Sequence, residues 1–135
     1  MIHVNTDGAS AGDPGPSGVG ILFRFADGRT EEKRFAIGEY SNHEAEFEAL
    51  NRALSICLER GYAHVSFRTD SRLVAEGVEN RYVRNAAYAP YLEQVLKKYD
   101  QLELAFIKWI PSKQNKKADE LARLAIVKEK KRKRS

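Results

Sequence analysis

The sequence predicts an α/β domain: a five-stranded mixed sheet, its first three strands antiparallel and the later ones parallel, with helices on both faces. Three observations predict it. The opening third alternates apolar and polar residues between short turns rich in glycine, proline and aspartate, as antiparallel neighbours do. The remainder alternates strand-like runs with helix-period runs, as right-handed parallel crossovers do. A length of 135 residues, 42% of them hydrophobic, suits one core and one compact domain.

Residues 2–8 alternate Ile2, Val4 and Thr6 against His3, Asn5 and Asp7, which reads as the first strand. AGDPGPSG (11–18) holds three glycines and two prolines and reads as a loop or turn. VGILFRF (19–25) and EEKRFAIG (31–38) flank Asp27-Gly28 as a hairpin. Ser41 or Asn42 caps a helix that runs to about Arg60 and stops at Gly61. His64–Thr69 is the next strand, and Asp70 or Ser71 caps a short helix, SRLVAEGVE. A helical segment follows around Ala89–Tyr99, then a strand at Leu104–Ile110. Pro111 breaks the chain, and Asn115 opens a last helix that ends near Lys128.

Charge is unevenly spread. The chain carries 23 basic and 19 acidic residues, a net of +4. The last eight residues, KEKKRKRS, hold six bases and one acid, which leaves 17 bases against 18 acids in residues 1–127. The domain is therefore assigned to 1–127, with 128–135 expected to be an unordered basic tail. Such a tail either grips a phosphate backbone through counterion release or is a solvated terminus. The single cysteine, Cys57, excludes an internal disulfide and fits a reducing, cytoplasmic setting. No apolar run approaches the length of a membrane span, and MIHVNTDGAS lacks the layout of a signal peptide.

The informative residues are acids in places where packing alone does not ask for them. In the first helix the apolar stripe is Ala49, Leu50, Ala53, Leu54 and Cys57, and Glu46 falls on that same side. Asp7 sits within a strand, where aspartate is disfavoured, unless the strand ends at Thr6 and Asp7-Gly8 begins a turn. Asp70 closes a strand, where N-capping is the structural alternative, and Asp119 lies in the first turns of the last helix, where the dipole offers one. If the strands of Asp7 and Asp70 are parallel neighbours, their carboxylates project near one end of the sheet, and helices starting there add Glu46 and Asp119. Four carboxylates so crowded raise each other's pKa unless a cation neutralises them, and hard divalent ions answer that need.

Four blocks make the chain resemble ribonuclease H type 1. They are TDGAS (6–10) with the turn GDPGPSG, SNHEAEFEAL (41–50), TDSRLV (69–74) and NKKADELA (115–122), in the family's order and spread over residues 2–127. The resemblance implies a ribonuclease H-like fold and an endoribonuclease that hydrolyses the RNA strand of RNA–DNA hybrids. It implies that Asp7, Glu46, Asp70 and Asp119 are the catalytic acids and hold two Mg²⁺ (or Mn²⁺) ions, with 5′-phosphate and 3′-hydroxyl ends as products. It places Asn42, His43 and Arg72 where the family reads 2′-hydroxyls across the minor groove.

The chain departs from the family's pattern at several positions. WIPSKQNKKAD (109–119) lacks the histidine many members carry before the last aspartate, with Lys113 in that loop instead. No lysine–tryptophan-rich protrusion intervenes between the strand of Asp70 and the last strand. Asp13 stands where an asparagine is usual, Asn42-His43 where an asparagine pair is usual, and Arg72 where a glutamine is usual. These departures imply an intact metal site and an altered grip. The alternative function is a catalytically weak or inactive nucleic-acid-binding module on the same fold; a nuclease acting on DNA is a third. Tyr82, Tyr88, Tyr91 and Trp109 are read as packing, with base stacking open to the tyrosines. A monomer without membrane attachment is expected.

Overall fold

In the computed structural model residues 1–134 are described, of which residue 129 and residues 132–134 are described in the backbone only. Three β-rich segments lead: β1 (Ile2–Ser10), β2 (Gly15–Arg24) and β3 (Thr30–Tyr40). Helix α1 (Asn42–Glu59) and strand β4 (His64–Thr69) follow, then α2 (Arg72–Asn80), a 3-10 turn at Ala86–Tyr88 and α3 (Ala89–Tyr99). Strand β5 (Leu104–Trp109), a 3-10 turn at Ser112–Gln114 and α4 (Lys116–Arg134) complete the chain. The sheet has five strands in the order β3-β2-β1-β4-β5, with β1–β3 antiparallel and β4 and β5 parallel to β1. This is the sheet expected from the sequence.

The alternation of β1 and β2 sorts residues to two faces. Val4, Ile21 and Phe23 join Phe47, Leu50, Leu54, Phe67 and Val74 in the core beneath α1 and α3. On the opposite face α4 lies against β2 so closely that a Cβ on Gly20 would overlap the Ala118 carbonyl. Likewise a Cβ on Gly8 would overlap the Ala45 carbonyl of α1. Glycine at these two positions lets helices touch the sheet backbone directly. Ser41 caps α1 in a complete capping box, accepting from the Glu44 N–H at 3.2 Å while its own N–H donates to Glu44 Oε1 at 2.8 Å. That pairing is worth about 1 kcal/mol and fixes where α1 begins.

Two boundaries differ from expectation. The loop expected over 11–18 is only the turn 11–14, because Gly15–Gly18 pair with β3 across a register shift at Ser17/Gly18. Glycine and proline signal a turn locally, but ladder hydrogen bonds to both neighbours override the signal. Helix α4 continues to Arg134 rather than ending near Lys128, so the segment expected as an unordered tail is helical as far as it is described. Residue 135 lies outside the described residues. No helix among the described residues is long and apolar enough to cross a membrane.

Candidate active site

Four elements deliver acids to one end of the sheet. β1 and β4 are adjacent and parallel, with Thr6 opposite Thr69, so Asp7 and Asp70 leave the same edge side by side. The alternation that puts Asn5 on the α4 face puts Asp7 there too. Helix α1 starts above this edge and aims Glu46 down at it, where Glu46 Oε1 accepts from the Gly8 N–H at 2.9 Å. Helix α4 starts on the other face and brings Asp119 in its first turn. Asp7, Glu46 and Asp70 each offer an oxygen, and these oxygens all lie within 4.8 Å of one another. Asp119 stands beside this triplet within hydrogen-bonding reach of the Asp7 carboxyl, and Arg123 binds its outer oxygen at 2.5 Å.

Electrostatics make the crowding costly. Asp7 is 5% exposed and Glu46 7%. Burial pushes the Asp7 carboxyl up to about 12, helped by the charge and contact of Glu46, the charge of Asp70 and the contact of Asp119. Glu46 is raised as well, first by burial and then by Asp70 and Asp119, against the lowering pull of its contacts with Asp7 and the Gly8 N–H. Such a set holds protons or a cation. Carboxylate oxygens alone, a few ångströms apart, form a hard donor set suited to a divalent ion of the Mg²⁺ class. The residues present therefore fit a divalent metal centre.

The acids floor an open cleft of about 420 Å³ whose lining also includes Asn42, His43, Ser71, Arg72 and Ser112. The four acids and the three positions Asn42, His43 and Arg72 therefore line one cleft. Asn42 Oδ1 accepts from the Ser10 N–H at 3.3 Å, which turns its amide nitrogen outward as a donor. His43 rests edge-on against Tyr88. The Arg72 guanidinium lies 3.8 Å from the centre of the Trp109 ring, and the Trp109 indole N–H donates to the Asp70 carbonyl at 3.1 Å. Trp109 thus braces Asp70 and Arg72 together, a role the sequence reading as packing did not include. Ser112 was also missed, since a serine in a loop carries no signal of its own. Tyr88 and Tyr91 stack on Phe47, as packing predicts, while Tyr82 is 66% exposed. Asp13 lies in the exposed 11–14 turn and does not line the cleft. Lys113, in the 3-10 turn beside the cleft, is exposed.

Comparison with known proteins agrees with this geometry. The reverse transcriptase-like family matches residues 5–125. The candidate hydrolase EbsB of Enterococcus faecalis is 40% identical over 134 residues, covering 95% of this chain and 96% of its own. Ribonuclease H of a Cyanothece species is 32% identical, covering 81% of this chain and 74% of its own. Ribonuclease HI of Halobacterium salinarum is 32% identical, and the match covers 93% of this chain and 64% of that longer protein. The crystal structure of ribonuclease H1 from the same archaeon superposes with a TM-score of 0.88 at 29% identity, covering 94% of this chain and 98% of that one. A ribonuclease H1 named LC11, solved in complex with an RNA/DNA hybrid, superposes with a TM-score of 0.85 at 31% identity, covering 95% and 98%.

Proposed function

From the premise that this chain belongs to the ribonuclease H family, we propose that it is a metal-dependent endonuclease that hydrolyses the RNA strand of RNA–DNA hybrids at the acid cluster. The observation that carries the reading is the convergence of Asp7, Glu46 and Asp70 within 4.8 Å from three separate elements, with Asp119 beside them. A divalent ion held there, Mg²⁺ or Mn²⁺ and two of them with substrate bound, supplies an activated water and charge for the leaving oxygen of the phosphodiester.

The chain's own groups hold and orient. Asp7, buried at the centre, and Glu46, anchored by the Gly8 N–H, would hold the ion. Asp70 reaches in from the rim, its backbone held by the Trp109 indole. Asp119, tied to Arg123, stands beside them and would add a fourth carboxylate to the ion. Asn42 offers its amide nitrogen to a 2′-hydroxyl, the group that separates RNA from DNA. Arg72, held over the Trp109 ring, offers its guanidinium to a backbone phosphate, and His43 offers a further donor at the same rim. The cleft is complete within one chain, which supports a monomer, and the lone buried Cys57 supports a cytoplasmic setting.

A labelled RNA–DNA hybrid tests the reading. Cleavage in Mg²⁺ or Mn²⁺, lost on chelation and lost in Asp70→Asn, with 5′-phosphate and 3′-hydroxyl ends, is the expected result. Tight hybrid binding with no product in either metal would instead make the protein a binding module.

A further inference from the structure

On the α4 face of the sheet, up-strand of the acids, lies a second cleft of about 250 Å³ lined by Asn5, Arg24, Arg68, Lys108, Ile110 and Gln114. Its lining holds three cations and no acid. Strand register assembles it: Asn5 pairs with Arg68, and Arg68 with Lys108. None of Arg24, Arg68 and Lys108 forms an ion pair among the described residues.

Arg24 is held in place by a polar relay. Asn115 Nδ2 donates to the Thr6 carbonyl at 2.9 Å, and Asn5 Nδ2 donates to Asn115 Oδ1 at 3.0 Å. The relay turns Asn5 Oδ1 toward Arg24, whose Nη2 donates to it at 2.9 Å. The buried Arg24 Nε meets no protein acceptor, and neither does Nδ1 of His3 across the β1–β2 pair. The relay thus holds Arg24 in place without a counter-charge, and the cations that line the cleft are left to an anion from solution. The surroundings are strongly positive: His3 is pushed down by burial and then by Arg68 and Arg24.

We infer that this cleft binds a phosphate group, the phosphomonoester dianion of a nucleotide or of a nucleic-acid end, between Arg24, Arg68 and Lys108. Guanidinium forks match phosphate oxygens two at a time, and a dianion balances cations that otherwise have no counter-charge. The site does not rest on the nuclease reading, because no metal-ligating acid lines it.

The test uses the whole, metal-free protein near neutral pH, in which the acid cluster repels anions. Inorganic phosphate, a 5′-mononucleotide and a short DNA strand with and without a 5′-phosphate are titrated by calorimetry and by thermal unfolding. Phosphate is expected to bind wild type and Asp70→Asn alike, and Arg68→Gln and Lys108→Gln at least about tenfold more weakly. Arg68→Gln is expected to unfold at the same or a higher temperature without phosphate, since it removes a charge that repels Arg24; a merely structural arginine would lower that temperature. Preference for the phosphorylated strand over its hydroxyl twin assigns the site to nucleic-acid ends, and binding confined to phosphate and the mononucleotide assigns it to free nucleotides. Absence of binding to wild type, unchanged affinity in both glutamine variants, or loss of binding in Asp70→Asn would overturn the proposal.

Discussion

Buried among three other carboxyls, Asp7 binds its proton far more tightly in the folded protein than in the unfolded chain. The sign of the consequence follows from linkage. An acid raised on folding contributes most stability below the ordinary carboxyl range and loses it as pH climbs, here from 3.8 toward about 12. The metal-free protein is therefore expected to lose melting temperature steadily from pH 4 into the neutral range, and Asp7→Asn to flatten that dependence. The same substitution is expected to cut hybrid cleavage by roughly 10³-fold or more, the scale of removing one charge-stabilising group from an active site. Circular dichroism melts across pH with and without a chelator, beside a cleavage assay, check both halves. A steep pH dependence that survives in Asp7→Asn would place the stored proton elsewhere. Asp7 was legible in the sequence because an aspartate inside an alternating strand has few structural excuses. The relation of Trp109 to Asp70 was not, since it depends on a contact between residues far apart in the chain.

At the scale of elements, the site depends on how close two helices come to the sheet. Gly20 lets α4 rest its Ala118 carbonyl on β2, and α4 carries Asp119 one residue later. Gly20→Ala forces the helix outward against backbone rather than against a flexible side chain. A cost of about 1–3 kcal/mol, the usual scale of overpacking, is expected together with loss of cleavage, because Asp119 moves with its helix. Ser41→Ala makes the contrasting case: it removes one cap, costs about 1 kcal/mol, and leaves the Gly8–Glu46 anchor in place. Melting temperature and cleavage should fall together in the first variant and separate in the second. Element order, strand polarity and both flanking helices could be read from periodicity and turn residues alone. The length of the 11–18 loop could not, because whether Gly15–Gly18 pair is decided by β3 rather than by their own propensity. The basic cleft was invisible for a related reason: Asn5, Arg24, Arg68 and Lys108 come from four strands, and only the register brings them together.

Across the whole molecule, charge is arranged against the net value of the domain. Residues 1–127 are close to neutral, the catalytic cleft is acidic until metal binds, and six of the last eight residues are basic. Attraction to a hybrid must therefore come from bound divalent ions, from local groups such as Arg72, and from the C-terminal end. The first contribution is measurable as stabilisation. An ion that binds the folded protein alone raises stability by about 2.7 kcal/mol at a hundredfold excess over its Kd, so Mg²⁺ or Mn²⁺ should raise the melting temperature of wild type more than that of Asp70→Asn. The last contribution is measurable through salt. Each phosphate neutralised by a lysine or arginine releases counterions and steepens the fall of affinity with ionic strength by a little under one logarithmic unit per decade. Replacing Lys128, Lys130, Lys131, Arg132, Lys133 and Arg134 with glutamine in the otherwise intact chain should weaken hybrid binding at low salt and flatten that slope. Cleavage at saturating hybrid should stay unchanged, because the substitutions leave the four acids of the cleft in place. An unaltered slope would mean that the basic end never meets the substrate, leaving Arg72 and the metal centre to hold the hybrid against a nearly neutral domain.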